Sequence, residues 1–417
     1  MRMLKIRNAI LLIGSALLLG GTLLCTVADR AGISFPDWMA VNAKHSNLEG
    51  RNYTKLPNAS IDAVMSGKFQ NTFESYVADL IPMRDEALLA NARMQRLSIV
   101  PMSVLAGYNY YYPTFFGSSY CYDTNNNVVR LTPLTKEQVN TKALQNSVRS
   151  INDFAQTHSE LNYLMYLPGR AGSLSFDDSL GLVSDAAGEQ FVLDTVSADL
   201  IDNIPLQHWS PSTELEYAET YYNCDHHWKI NAAYGAYCTS ASYFGFGDSL
   251  LEPDSSIAFD QIEFYGSAAR TGLDADNSAD GIVDYRFTLP SYDIWVSGKA
   301  ETEDCINSHE RYEKGEWPSE RFSGYYADYY HKDYPQIILV RDDDASEKSL
   351  LIVSDSFSNS IERLYLGHYK KVYVYDPRYA KQTLSEFVDK YNNEVDDVMY
   401  MMCYQTLVNK RVAENLR

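Results

Sequence analysis

Two hydrophobic periods run along this chain, and the change from one to the other marks its elements. Between Phe69 and Ile99 apolar residues recur at helical spacing, with Phe73, Tyr76, Val77, Leu80 and Ile81 on one face. Pro82 breaks that run before a second helix rich in Ala and Leu. Met102 to Phe116 reads as strands and turns, and Thr135 to His158 as a further helical stretch. Leu161 to Leu167 is a largely apolar seven-mer followed by Pro168 and Gly169, the pattern of a buried strand and its turn. Lys229 to Tyr243, rich in Ala and Tyr, predicts a helix.

From about Gly245 to Asp344 the composition shifts to Asp, Ser, Gly and short aromatic strands, which predicts a β-rich insertion (residues 245–344). Strand patterns return at Ile337–Val340, Leu350–Val353, Val372–Tyr375 and Val398–Met402. Helical stretches at Asn359–His368 and Leu384–Asn392 separate the last three. Strands alternating with helices predict an α/β fold, a mostly parallel sheet flanked by helices. In such sheets reactive loops lie at the carboxyl ends of the strands. Ser356 stands at one such end, and Asp376-Pro377-Arg378 at another.

The N-terminus predicts a compartment. Arg2, Lys5 and Arg7 precede an uncharged, mostly apolar stretch from Ala9 to Ala28, closed by Asp29 and Arg30. About 20 apolar residues at roughly 1.5 Å each cross a ~30 Å hydrocarbon core. Cations on the short N-terminal side predict a single-pass anchor with the rest of the chain outside the cell membrane. A cleaved signal peptide, with Thr26-Val27-Ala28 as its site and a secreted product, is the alternative. The expected organisation is a cytoplasmic stub and anchor (1–28), a connector containing Pro36 and Pro57 (29–67), and a catalytic domain (68–417).

Charge narrows the partners. Thirty-five basic against fifty-five acidic residues leave a net charge of −20, which repels nucleic acid and anionic polymers. The tyrosines cluster at Tyr108, Tyr110, Tyr111 and Tyr112, and again at Tyr325, Tyr326, Tyr329 and Tyr330; either cluster suits sugar stacking or a strand. Beyond the anchor, Cys121, Cys224, Cys238, Cys305 and Cys403 are too many by one to pair completely, and their spacing fits no zinc knuckle.

Candidate chemistry sits in two short segments. Asp225-His226-His227-Trp228 offers a carboxylate and an imidazole two residues apart, and Ser354-Asp355-Ser356-Phe357 offers a hydroxyl after the apolar run Ser349–Val353. A serine nucleophile needs a base to take its proton, and the base a carboxylate to orient it. In an extended segment residues i and i+2 share a face, so Asp225 is expected to orient His227 while His226 and Trp228 turn toward packing. An Asp-His-His metal site is the rival use of the same residues, with no further ligand cluster in the nearby sequence. Ser356 is expected to precede a helix from about Asn359, whose backbone N–H groups and dipole would favour an oxyanion. A plain strand–helix turn with Ser354 or Asp355 as N-cap is the structural alternative. Arg378 is a candidate contact for a substrate oxygen, or a partner of Asp376 or another acid.

In combination and order, DHHWKINAAYGAY (225–237), LLIVSDSFSNSI (350–361) and YVYDPRY (373–379), preceded by FESYVADLIPMRD (73–85), resemble the DHHW family. These are SGNH-hydrolase-like proteins similar to the acetyltransferases that O-acetylate alginate and other exported polysaccharides. In ordinary SGNH hydrolases the serine block comes first; in this permuted group, as here, the Asp-x-His pair does. Ser354 stands where the family motif often has Gly, and the sugar-binding module of some relatives is not evident. The resemblance implies Ser356 as acyl-accepting nucleophile, His227 as base, Asp225 as its orienter and Arg378 as a substrate or oxyanion contact. It implies an exterior O-acetyltransferase acting on a polysaccharide or glycan acceptor, with no metal or organic cofactor. The acetyl donor would be delivered by a membrane-bound acyltransferase. An acyl esterase with the same triad, and a non-catalytic glycan-binding protein on a hydrolase scaffold, are the alternatives.

Overall fold

The computed structural model describes residues 51–107, 135–169, 187–273, 280–318, 325–391 and 394–417, with short stretches elsewhere. The Ala9–Ala28 segment and the Tyr108–Tyr112 side chains fall almost wholly outside the described residues. Among the described residues no helix is long and apolar enough to cross a membrane.

Ten strands place the site. They are β1 (Asn162–Pro168), β2 (Leu206–Trp209), β3 (Ser255–Phe264), β4 (Asp280–Arg286), β5 (Tyr292–Val296), β6 (Lys299–Glu301), β7 (Gln336–Arg341), β8 (Ser349–Ser354), β9 (Lys371–Tyr375) and β10 (Asp397–Met401). Eight form one sheet in the order β6-β5-β7-β9-β8-β10-β1-β2. Strands β9, β8, β10, β1 and β2 pair in parallel, whereas β7, β5 and β6 join antiparallel to their neighbours. The predicted α/β architecture is therefore present with a mixed, mostly parallel sheet.

Burial explains the two halves. Every residue of β8 and β10 is buried, as strands covered on both faces require. On β7 burial alternates with half-exposure, because this antiparallel side is covered more fully on one face. Helices flank the sheet. Thr141–Thr157 is tied to the C-terminal segment by Ser147 Oγ donating to Leu407 O and Ser150 Oγ to Ala413 O. Phe387 of the helix Leu384–Lys390 packs on Tyr373 and Tyr375 of β9. Ile230–Ala241 forms where the Ala-rich pattern predicts it.

Three expectations change. Strand Ile337–Val340 exists but runs antiparallel, and with it β5 and β6, from within the expected insertion, belong to the central sheet. Helices Ser267–Thr271, His309–Glu313 and Tyr325–Tyr329 lie within the same β-rich stretch. In place of a helix over Asn359–His368 there are turns and a 3-10 segment, Glu362–Gly367. The second N-terminal helix runs over Arg84–Leu105, past Met102 where strands and turns were expected.

Candidate active site

Three side chains from two sequence-distant segments meet at the carboxyl edge of the parallel strands. Ser356 follows β8 by two residues, and its Oγ lies 2.8 Å from His227 Nε2. On the other side of the ring, His227 Nδ1 lies 2.5 Å from Asp225 Oδ1. A hydroxyl, an imidazole and a carboxylate so linked form the relay that serine acyl chemistry needs. Ser356 keeps 8% of its surface, His227 7% and Asp225 6%, so the three groups lie in a poorly solvated setting.

The loop carrying Asp225 and His227 is bent rather than extended. Asp225 Oδ1 also accepts from the backbone N–H of His227 at 3.0 Å, an Asx-type turn, and the bridge Tyr221↔Trp228 closes the loop at its base. The bend alters the expected side-chain directions. His226 lies beside His227, ring centroids 3.8 Å apart, with its Nδ1 2.7 Å from Ser267 Oγ and its side chain half-buried. Only Trp228 turns into the core, where its Nε1 donates to Phe357 O at 2.9 Å.

The β3–β4 hairpin and the short helix after β3 hold this loop. Cys224 O accepts from the N–H groups of Ala268 and Ala269, and Cys224 N donates to Asp280 Oδ2. Ser267 N donates to Asp225 Oδ2 at 2.7 Å. A Cβ at Gly266 would overlap the Asp225 carboxylate, so glycine is required by close approach alone. Burial pushes the Asp225 carboxyl up, but His227, His226 and these N–H donors outweigh it and hold the group well below the ordinary carboxylate range. Burial, with His227 next, brings His226 down to about 4 against the opposing pull of Asp225. A neutral His226 beside a charged Asp225 leaves the carboxylate to His227.

On the Ser356 side, Asp355 is the anchor. Its Oδ1 accepts from Phe357 N at 3.0 Å, and its Oδ2 accepts from Cys403 N at 2.9 Å and Thr406 Oγ1 at 2.6 Å. One buried carboxylate thus ties the turn after β8 to the segment after β10. Ser358 Oγ donates to Ser354 Oγ at 2.9 Å, a use for the hydroxyl that a Gly at 354 would lack. The α-helix expected from Asn359 is absent, so no helix dipole bears on Ser356.

Tyr326 is the neighbour that sequence reasoning missed. Its ring stacks on His227, centroids 3.7 Å apart and 3° from parallel, and its hydroxyl donates to Ser356 O at 3.2 Å. The Tyr325–Tyr330 cluster is buried throughout, so it serves packing rather than sugar stacking. The one signal in the sequence was the cluster itself.

Arg378 lies on the same edge, after β9, but its guanidinium is largely engaged. It bonds Asp376 through Nε and Nη2, and Asp333 through Nη2 at 2.8 Å. Its charge reaches His226 and Asp355. The pairing with Asp376, one of the two uses expected from sequence, is what the contacts display.

Asp225, His226 and His227 also offer one ligand atom each within 4.8 Å, a set that could hold a cation. Asp225 Oδ1, His226 Nδ1 and both nitrogens of His227 are within hydrogen-bond distance of one another or of Ser267 and Ser356. Cys224, Cys238, Cys305 and Cys403 are free thiols, two of them buried.

No protein-family model matches the chain, and no curated protein matches it in sequence. Solved structures do match in fold. A DHHW family protein from Eubacterium siraeum superposes with a TM-score of 0.55 at 17% identity, over 72% of this chain and 95% of that one. Bacillus cereus PatB1 with a sulfonyl adduct gives 0.53 at 18% identity, over 68% and 95%. A further PatB1 structure gives 0.51 at 17%, over 68% and 96%. The α/β fold of this chain, a mostly parallel sheet flanked by helices, is thus similar to that of a DHHW family protein and of PatB1.

Proposed function

We propose that this protein is a permuted, SGNH-like O-acyltransferase of the DHHW family that transfers an acyl group, acetyl in the first instance, to hydroxyls of a glycan. The observation that carries the proposal is the unbroken relay from Asp225 Oδ1 through both nitrogens of His227 to Ser356 Oγ. Ser356 Oγ attacks the donor carbonyl as His227 Nε2 takes its proton. Collapse of the tetrahedral intermediate expels the leaving group, which receives that proton, and leaves an acyl-serine. A glycan hydroxyl then attacks the ester carbonyl, passing its proton through His227 and restoring Ser356. Asp225 fixes the Nδ1–H tautomer and stabilises the imidazolium formed in each half. Nη1 of Arg378, which makes no hydrogen bond among the described residues, is the group available to a substrate oxygen.

The N-terminal apolar run with its leading cations supports a membrane-anchored protein whose catalytic domain faces outward. There the acyl group would come from a membrane-bound acyltransferase. Transfer and hydrolysis share the triad and differ in the acceptor. With an activated acetyl ester as donor, transferase activity yields acetylated oligosaccharide when oligosaccharide is added; free acetate at a rate indifferent to sugar would overturn transfer in favour of an esterase.

A further inference from the structure

Away from the triad, Arg363 is a buried cation with unmet hydrogen-bonding capacity. It belongs to the 3-10 segment beyond the nucleophile turn and keeps 7% of its surface. Its Nε is buried without a partner, and the facing carboxylates of Asp284 and Glu303 stand 3.9 Å from Nη2 and Nη1. Asp284 is occupied elsewhere, accepting from Tyr329 at 2.8 Å and from Asn307 and Tyr330 at 3.4 Å. A buried donor without an acceptor is destabilising, and more so when it is charged. Something other than this chain is suited to take those N–H groups.

The guanidinium lines a cavity of about 730 Å³ together with Asn307, His309 and Phe287. An adjoining cavity of about 510 Å³ shares Phe287, Thr302, Glu303 and Arg363 as its wall. His309 contributes a second atom without a hydrogen bond, its buried Nε2, 3.8 Å from Glu313 Oε2, while its Nδ1 lies 2.9 Å from Tyr329 Oη. No residue of the triad lines either cavity.

An oxyanion and a polyhydroxylated ring both satisfy a bare guanidinium, and the surroundings distinguish them. Asp254, Glu303, Asp304, Glu310 and Glu313 crowd the larger cavity, and its other guanidinium, Arg286, is paired with Glu313. That excess of carboxylates disfavours an anion. A sugar hydroxyl instead accepts from a guanidinium and donates to a carboxylate at once. Tyr285 and Phe287 add aromatic surface for a ring, and the volume is that of a small-molecule site.

We propose that this cleft binds a neutral saccharide, with Arg363 and His309 bonding its hydroxyls and Glu303 accepting from them. The assignment rests on the glycan-acyltransferase function above. It makes the cleft a subsite that grips the acceptor away from Ser356, and makes that acceptor a neutral glycan rather than a polyuronate or a phosphate polymer.

The test is calorimetric titration of the full chain carrying Ser356→Ala with hexamers of N-acetylglucosamine, xylose, mannose and galacturonate. At least one neutral hexamer should bind, at least tenfold more tightly than the galacturonate hexamer. Arg363→Gln and His309→Gln should each weaken that binding at least tenfold, while Arg363→Gln with Ser356 intact turns over an activated acetyl ester within twofold of the parent. Should Arg363→Gln not fold, Glu303→Gln, at the exposed rim, carries the same readout. Binding of no neutral hexamer, neutral binding indifferent to these substitutions, or tighter binding of the galacturonate hexamer would overturn the proposal. A chain that binds neutral sugar here but never acylates Ser356 would sink the acyl-transfer function and leave the cleft standing.

Discussion

The ring of Tyr326 lies flat on the imidazole of His227, and its hydroxyl bonds the backbone of Ser356. One side chain therefore contacts His227 and Ser356 together, and in the proposed mechanism its face would favour the imidazolium formed in each half-reaction. A stacked cation on an aromatic face is worth about 0.5–2 kcal/mol. Tyr326→Leu should lower turnover of an activated acetyl ester about tenfold, whereas Tyr326→Phe, which keeps the ring, should lose about threefold or less. Equal losses in the two variants would show that stacking on His227 contributes nothing.

Gly266 gives a test of the carboxylate. Gly266→Ala places a methyl group where Asp225 packs, so the protein should stay folded while ester turnover falls at least a hundredfold. Circular dichroism checks the fold and initial rates check the loss. Full activity in folded Gly266→Ala would mean that Asp225 does not need its place.

Asp355 is expected to act through stability more than chemistry. Asp355→Ala leaves the N–H groups of Phe357 and Cys403 and the hydroxyl of Thr406 without their acceptor. Urea denaturation should report a loss of about 2–4 kcal/mol. A loss below about 0.5 kcal/mol would contradict the anchoring role.

His368 sets an acid limit. Burial, with Arg341 adding in the same direction, brings its imidazole from 6.5 down to about 4. Leu251 N–H donates to Tyr237 Oη, and that hydroxyl, 2.7 Å from His368 Nε2, can donate its own proton to the ring when the ring is neutral. Between pH 6.5 and 4 the unfolded chain binds a proton that the native chain refuses, so stability falls as pH falls. From pH 7.5 to 4.5 this one group should remove about 2 kcal/mol. His368→Phe should show a correspondingly shallower decline in urea midpoint; an identical decline would locate the acid sensitivity elsewhere.

What was legible in the sequence follows the range of the interactions. Leu161–Leu167, Leu350–Val353 and Val398–Met402 announce buried strands because parallel strands covered on both faces are nearly continuously apolar. Ile337–Val340 is equally apolar, but periodicity carries no direction, and only pairing with β9 and β5 makes it antiparallel. Asp225 meets His227 because they are neighbours, yet the Asx turn that swings His226 alongside depends on Ser267 and Gly266, far away in sequence. The helix expected from Asn359 fails for a local reason. Ser358 bonds back to Ser354 and Asp355, offering the backbone an alternative to helical bonds. Tyr326 and Arg363 owe their positions wholly to tertiary packing, and no spacing rule points to them.

Acylation of Ser356 tests the central claim most directly. The full chain treated with an activated acetyl ester, followed by intact mass and peptide mapping, should carry one acetyl group on Ser356. The adduct should be absent from Ser356→Ala and at least a hundredfold slower to form in His227→Ala. Folded protein that takes up no acetyl group, or takes it up equally in Ser356→Ala, would contradict the account.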